Sequence, residues 1–264
     1  KIAQEGARNH GLLNISITDF FDIKISLPSR EEQTKIANFL SSIQEKIEYK
    51  VSLNEIFKEE ELEARIGGFE HFHQQYVYQN AHLWKLYGKG IIKKDDLRHE
   101  RFRVTLKYFK IKDEALVQRL SDAYVHISPR QTALFPQAIE TLVALEKMGF
   151  KLHIITNGFQ EVQFVKLENC GLRAFFDVVV CSEFVGKNKP DLAIFKYALN
   201  QASAKAEKSV MIGDDYHVDV AGALRAGMKA LWFDPSAKNQ YNYDNCISEL
   251  SAIPDLLPKL LLTH

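Results

Sequence analysis

The alternation of apolar and polar residues is regular near the start of the chain. Within residues 1–50, the runs at 14–18 and 22–27 alternate as half-buried strands do. Ser29 and Glu32 then form the capping-box pattern that begins many helices. The pattern predicts two strands followed by a helix. The apolar residues of that helix fall on one face, and they are Ile36, Phe39, Leu40, Ile43 and Ile47.

From about residue 53 to residue 134, large apolar residues recur at helical spacing. Glycines near positions 67 and 88 interrupt this stretch, and further helical patterns cover 93–106 and 113–125. An antiparallel helical bundle is the expected structure. The residues at helical spacing in the first half of the stretch are Phe57, Phe69, Phe72, Tyr76, Leu83, Trp84 and Tyr87.

The third part of the chain, residues 135–264, alternates strand-like and helix-like runs. This order predicts an α/β fold, in which a parallel sheet carries helices on its faces. Strands are predicted at 151–156, 176–181, 209–213 and 230–233. Helices are predicted at 137–148, 161–170, 192–201 and 218–226.

Composition narrows the class of protein. The 264 residues are 46% hydrophobic, enough for a sizeable core, and 34 basic residues balance 34 acidic ones. The balance disfavours nucleic acid and membrane surfaces as partners.

Three scattered cysteines favour a reducing cytoplasm, and the longest apolar run, near 256–262, is too short to span a bilayer. The start of the sequence lacks a signal-peptide pattern, so we expect none before the first segment. Since the first residue is Lys1, we expect the natural start to be missing, processed or spliced.

Three motifs follow predicted strands, and the first is Thr156-Asn157-Gly158. Ligands of open α/β sheets bind at the carboxyl ends of strands, where a helix N-terminus offers free N–H groups to an anion. The Thr156 hydroxyl and the two following amides therefore form a candidate phosphate site. The alternative interpretation is an ordinary turn.

The second motif places Lys189 before Pro190 and Asp191, at a predicted helix start that Asp191 caps. A fixed cation beside a phosphoryl group would stabilise its charge. The alternative is a solvated surface lysine, and Lys187 is the competitor that the spacing disfavours.

The third motif delivers Asp214 at the end of an apolar strand, with Asp219 one turn into the next helix. Carboxylate oxygens in this position suit Mg²⁺, which keeps several waters and takes one or two carboxylates. The alternative is that Asp215 or Asp219 only caps the helix.

Taken in order, the three motifs resemble motifs two, three and four of the haloacid dehalogenase (HAD) superfamily phosphatases. The resemblance extends over about residues 53–264. It implies that Thr156 binds phosphate, that Lys189 stabilises charge, and that Asp214 and Asp219 hold Mg²⁺.

A narrower resemblance is to HAD pyrimidine 5′-nucleotidases that act on non-standard nucleotides. It rests on Asn80-x-x-Leu83-Trp84-x-x-Tyr87-x-x-Gly90, Leu97-Arg98-x-x-Arg101-Phe102, Ser128-Pro129 and Leu134-Phe135-Pro136. It implies a helical cap, inserted between the first two core strands, that closes over the substrate. Trp84, Arg98 and Arg101 are then candidate substrate contacts. The alternative is that Trp84 belongs to the bundle core and that the arginines form ion pairs.

One element of the family pattern has no counterpart in the sequence. The family uses an Asp-x-Asp pair at the end of the first core strand, where the first aspartate attacks phosphorus. No Asp-x-Asp precedes residue 156. Asp19 and Asp22 have the wrong spacing, because an Asp-x-x-Asp on a strand points its two side chains to opposite faces. The resemblance therefore implies a core that lacks its central strand.

Residues 1–50 resemble a different family, the specificity subunit of type I restriction–modification systems. The distinctive run is Leu-Pro-Ser-x-Glu-Glu-Gln-x-Lys-Ile-Ala at 27–37. We therefore expect a fusion joined near residues 46–54, with three parts: a foreign fragment at 1–52, the helical cap at 53–134 and the HAD-like core at 135–264.

The function expected from the larger resemblance is Mg²⁺-dependent hydrolysis of a small phosphate monoester, a pyrimidine nucleotide, with no activity in the chain as written. Two alternatives remain open. One is a DNA sequence-specificity fragment of a restriction–modification system, and the other is a catalytically dead HAD-like protein.

Overall fold

The computed structural model describes residues 43–130 and 132–262, with side chains from residue 50 onward. The chain divides into two compact units, 1–33 and 34–264, and every described residue belongs to the second. The strands predicted at 14–18 and 22–27, and the start of the helix predicted from Ser29, lie outside the described residues.

The first half of the described chain is helical, as its apolar spacing predicts. Asp113 caps one of the helices, because its side chain accepts a hydrogen bond from the Leu116 amide at 2.9 Å. The helices are α1 (Ile43–Glu59), α2 (Glu63–Ile66), α3 (Phe69–Gly88), α4 (Lys94–Tyr108) and α5 (Glu114–Ile127). Since α1 is continuous from residue 43, it crosses the join predicted near 46–54, and the boundary at 52/53 stays a prediction.

These helices enclose a core of their own. Aromatic rings contact one another between helices, with centroids 5.5 Å apart for Phe57 and Phe72 and 5.3 Å apart for Tyr76 and Phe102. All four rings are buried, and full burial of a side chain of this size contributes about 1.5–3 kcal/mol. The helices predicted for this stretch are therefore present and share a core. We use the name cap for residues 53–130, and the cap domain at 53–134 stays a prediction.

The second half has the alternating order that the sequence predicts, and the α/β fold class is confirmed. The strands are β1 (His153–Thr156), β2 (Val178–Cys181), β3 (Val210–Gly213), β4 (Lys229–Phe233) and β5 (Cys246–Ile247). The helices are α6 (Ala138–Lys147), α7 (Gln160–Asn169), α8 (Ser182–Val185), α9 (Leu192–Gln201), α10 (Ala221–Arg225) and α11 (Ile253–Leu262). We refer to this half as the core domain.

The strand pairing differs from the single sheet that the alternation predicts. Within the described residues, β1 pairs with β2, and β3, β4 and β5 form a second sheet, with every pair parallel. The two sheets are separate because no described strand pairs with both β1 and β3. Side chains nevertheless join the two sheets on both faces. Ile154 and Ile212 share one apolar cluster, while Ile155 and Met211 share the other.

Two helices near the end of the chain differ from those that the sequence pattern predicts. The predicted helix 218–226 is divided into a π-helical turn, Tyr216–Val220, and α10. Helix α11 was not predicted, because Pro258 divides its apolar run, yet it buries Ile253 and Leu257 against the core domain. No described helix has the length and apolarity needed to cross a bilayer.

His153 at the start of β1 is a buried titratable group, and neither of its ring nitrogens hydrogen-bonds to a described residue. Burial lowers the pKa of His153, the nearby Lys151 charge lowers it further, and Asp177 opposes the shift. The folded protein therefore resists a proton that the unfolded chain accepts once the pH falls below about 6.5.

We predict that His153→Leu reduces the loss of stability on acidification. In the parent chain, the contribution of His153 is intact above the unfolded-state pKa of about 6.5 and is lost as the pH falls towards the lower folded-state value. Urea unfolding over this pH range measures the slope. His82→Leu, at an exposed position, controls for the loss of a surface histidine. Equal slopes for His153→Leu and the parent would contradict the prediction.

Candidate active site

The first motif forms a tight turn at the carboxyl end of β1. Thr156 ends the strand and is buried, and its Oγ1 accepts a hydrogen bond from the Gly158 amide at 2.9 Å. The helix α7 begins two residues later, at Gln160. The hydroxyl thus lies at a strand end shortly before a helix, and its hydrogen bond with Gly158 is also what an ordinary turn would form. Phosphate binding stays a prediction.

Asn157 connects this turn to the loop that carries Lys189. Its side-chain Oδ1 accepts from the Lys189 amide at 2.7 Å, and its Nδ2 donates to the Lys189 carbonyl at 3.0 Å. Two hydrogen bonds from one side chain fix the backbone of Lys189 relative to the turn. The Asn157 side chain therefore positions the second motif, a role that the sequence analysis did not assign to it.

Lys189 is buried and ion-paired. Its Nζ lies 2.7 Å from Oδ1 of Asp219, and both side chains are almost fully buried. The interpretation of Lys189 as a solvated surface lysine is therefore wrong, and the competitor, Lys187, is the exposed one. Asp191 caps α9 as predicted, since its Oδ1 accepts from the Ala193 amide at 2.8 Å.

Two neighbours hold Asp219 in place. Its Oδ2 accepts from the Asp215 amide at 3.2 Å, and it packs directly on Gly213, where a Cβ would lie 2.6 Å from the Asp219 Cγ. A side chain at position 213 would displace the carboxylate. The glycine before the two aspartates is thus required by the close approach of Asp219.

The two other aspartates of the motif have distinct surroundings. Asp215 accepts from the amides of His217 and Val218, both at 3.0 Å, which confirms the helix-capping alternative for this residue. The carbonyl of Asp214 accepts from Trp232 Nε1 at 2.9 Å, so the β4 strand fixes the backbone of Asp214.

The donor chemistry at this point suits a divalent cation with oxygen ligands. Asp214 and Asp219 supply carboxylates at a strand end, and Mg²⁺ requires only one or two of these because it retains water. Asp219 is ion-paired with Lys189, and metal binding by Asp214 and Asp219 stays a prediction. The described residues contain no group of three or more acidic, histidine or cysteine side chains arranged around a metal position.

Cys181 ends β2, directly beside Thr156 in the strand register, but its chemistry excludes it as a nucleophile. Burial and the nearby carboxylates of Glu183 and Glu161 raise the pKa of the Cys181 thiol to about 12. The reactive thiolate is therefore scarce near neutral pH.

The cap residues predicted to contact substrate meet other protein groups. Trp84 stacks on Phe159 of the core domain, with ring centroids 5.4 Å apart, and Arg98 forms an ion pair with Glu161. The Arg101 guanidinium lies 4.3 Å from the Tyr124 ring centroid within the cap. The ion-pair alternative is thus confirmed for Arg98. All three side chains also line a cleft that reaches Gly158, so substrate contact stays a prediction.

Sequence reasoning missed the core-domain residues that face the cap, Phe159 and Glu183. Phe159 directly follows the Thr156-Asn157-Gly158 turn, and a large apolar residue at the start of a helix was an available signal. Glu183 had no comparable signal, because its partner Lys94 is 89 residues away along the chain.

Comparison with known proteins gives one family match. Residues 73–233 match the model described as haloacid dehalogenase-like hydrolase. The pyrimidine 5′-nucleotidase YjjG of Escherichia coli K12 is 34% identical over 168 residues, which are 63% of this chain and 72% of the relative. These matches give no support to the restriction–modification resemblance of residues 1–50.

Other relatives are matched over a smaller part of their length. The ribulose-1,5-bisphosphate 5-phosphatase of Halopiger xanaduensis is 34% identical over 52% of this chain and 62% of its own length. The glyceraldehyde 3-phosphate phosphatase of Methanothermobacter thermautotrophicus is 42% identical over 37% of this chain and 43% of its own length. The chain thus spans from under half to almost three quarters of these curated relatives.

A solved structure supports the fold. The magnesium-bound HAD-hydrolase YfnB of Bacillus subtilis superposes with a TM-score of 0.75 at 23% identity, covering 86% of this chain and 98% of that one. At this identity the likeness concerns the fold alone.

We predict that Asp219→Ala lowers the free energy of unfolding by about 3–5 kcal/mol, because it leaves the Lys189 ammonium buried without its counter-ion. Asp244→Ala, at an exposed position, is the control and should change stability by less than about 0.5 kcal/mol. Urea denaturation measures both. A cost for Asp219→Ala no larger than that of the control would show that the ion pair is solvated.

Proposed function

Because the chain belongs to the haloacid dehalogenase-like hydrolases, we propose that its site binds the phosphate group of small phosphate monoesters, with Mg²⁺ as cofactor and a pyrimidine nucleotide as substrate. The observation that carries the proposal is the contact chain from Asn157 through Lys189 to Asp219. It joins the Lys189 backbone to the turn at the end of β1, and it joins the buried Lys189 ammonium to Asp219.

Each side chain has a defined task in this proposal. Thr156 and the Asn157 amide bind phosphate oxygens, since a hydroxyl and a helix start are good anion ligands. The Gly158 amide, the third donor of the proposal, must first leave Thr156 Oγ1, to which it donates. Lys189 neutralises charge on the phosphoryl group, and its burial strengthens the interaction. Asp219 orients the Lys189 ammonium by ion pairing, as the 2.7 Å contact supports.

Asp214 would hold the magnesium ion, with Asp219 beside it. When bound, Mg²⁺ supplies positive charge that stabilises the phosphate oxygens. The hydrogen bond from Trp232 fixes the Asp214 backbone, which limits the positions available to the carboxylate.

The preference for a pyrimidine nucleotide rests on similarity to the E. coli nucleotidase and on the aromatic and cationic side chains of the cleft. Trp84, Arg98 and Arg101 remain the proposed substrate contacts from the cap, and all three line that cleft. A cytoplasmic location, inferred from cysteine usage, is part of the same proposal. Relatives that act on sugar phosphates make these the first alternative substrates to test.

The proposed chemistry requires a nucleophile that the 264 residues do not supply in the family's form. The sequence contains no Asp-x-Asp, and Cys181 is excluded by its raised pKa. We therefore propose that these 264 residues bind phosphate weakly and do not turn it over. This agrees with the alternative of a catalytically inactive HAD-like protein for the chain as written.

We predict no measurable hydrolysis of p-nitrophenyl phosphate or of pyrimidine nucleoside monophosphates by the 264-residue chain with Mg²⁺. Replacing residues 1–52 by the first strand of a nucleotidase of this family, ending in Asp-x-Asp, should restore Mg²⁺-dependent release of phosphate. Steady-state phosphate release measures both proteins.

Two outcomes would count against this account. Turnover by the unaltered chain that Asp214→Ala abolishes would show that the nucleophile lies elsewhere, and Asp19 and Asp22 would be mutated first. A folded, repaired chain that hydrolyses no phosphate monoester would contradict the proposed function itself. Asp214→Ala in the active repaired chain should remove activity, while Asp244→Ala should retain it.

A further inference from the structure

The cap and the core domain meet around Phe159, the residue that directly follows the Thr156–Gly158 turn. Trp84 stacks on its ring at 5.4 Å between centroids, and Tyr87 approaches it edge-on at 5.6 Å. Phe159 itself is buried. The core domain thus inserts an aromatic ring, fixed to the end of the turn, between two aromatic residues of α3.

An ionic cluster covers the same contact. Lys94 Nζ lies 2.8 Å from carboxylate oxygens of both Glu161 and Glu183, and it stands 4.5 Å from the Phe159 ring centroid. Arg98, one turn along α4, also pairs with Glu161. Two cationic residues of the cap therefore bind two acidic residues of the core domain above one aromatic ring.

Glu183 also binds the backbone that leaves the turn. Its Oε2 accepts a hydrogen bond from the Gln160 amide at 2.6 Å, and its Oε1 accepts one from Lys94 Nζ. The neighbouring Ser182 hydroxyl donates to the Asn157 carbonyl at 3.4 Å. The segment that binds the cap thus also hydrogen-bonds to Asn157 in the turn and to Gln160, the first residue of α7.

We propose that Lys94, Glu161 and Glu183 form a latch that couples closure of the cap to the order of the Thr156–Gly158 turn, with Glu183 as the positioning residue. The importance of the turn as a phosphate site rests on the function proposed above, but the latch does not need phosphate to act. Because coupling between two sites is reciprocal, releasing the latch on the cap side must loosen the turn.

The latch differs from an ordinary surface ion pair in two ways: its side chains are partly buried, and Glu183 also hydrogen-bonds to the backbone of Gln160. The three side chains of the latch and the neighbouring Arg98 are between 23% and 48% exposed, so added salt screens them in part. A purely structural contact would hold α4 in place without affecting the turn. The two interpretations therefore differ at the amides of residues 157–160.

Hydrogen exchange on the full chain, without ligand, separates them. Lys94→Met removes the charge and keeps most of the apolar stem. We expect it to raise exchange several-fold in α4 and also at the amides of 157–160. Lys107→Met, an exposed lysine in the last turn of the same helix, is the matched control and should change neither region. Glu183→Gln keeps an acceptor for Gln160 but weakens the bond to Lys94, so it should open α4 from the core side.

The same hydrogen-exchange measurement can be made on the parent chain at different salt concentrations, without any variant. Raising the salt concentration should increase exchange in both regions of the parent. It should increase exchange less in Lys94→Met, which retains only the Arg98–Glu161 pair of the cluster. Exchange that rises in α4 alone, in Lys94→Met or at high salt, would overturn the latch. Each of these arms is independent of catalysis, whereas the proposed function is tested by the repaired chain.

Discussion

The buried ion pair between Lys189 and Asp219 is the interaction on which the site depends. Removing an ammonium and a carboxylate from water costs several kcal/mol for each ion, so the pair persists only where its geometry is fixed from both sides. Asn157 fixes the Lys189 backbone with two hydrogen bonds, and the Asp215 amide fixes Asp219. Gly213 leaves room for the carboxylate. Three strand-end motifs that are far apart in the sequence are thereby held as one site.

Much of this arrangement could be predicted from the sequence, because each motif is local. Thr156, Lys189 and Asp214 each follow a recognisable run, and the carboxyl ends of parallel strands meet at one edge. The burial of Lys189 follows from its partner, which is 30 residues away and not visible in the local pattern. The sequence predicts Asp219 as a metal ligand, and this stays a prediction; its carboxylate forms an ion pair with the Lys189 ammonium that the local pattern does not indicate.

The parts that could not be predicted depend on contacts between distant segments. Strand pairing is partly such a case. The missing Asp-x-Asp implies a core without its central strand, but the runs at 151–156 and 209–213 do not indicate which of the remaining strands pair with each other. The contacts of the cap are another. The sequence leaves open whether Trp84 and Arg98 contact substrate or protein, and it does not indicate that Phe159 and Glu161 are their neighbours. Helix α11 was missed because Pro258 was read as a break, although its neighbours Ile253 and Leu257 pack on the core domain.

The buried thiol of Cys181 gives the chain a chemical reporter of its own opening. The side chain has no solvent-exposed surface in the folded state, and its raised pKa keeps it protonated. A thiol-specific reagent therefore modifies it only in molecules whose β2 edge has opened, while Cys170 and Cys246, which are only partly buried, have greater access to the reagent. The labelling rate of this one cysteine, taken against the other two, measures the population of open molecules without any engineered probe.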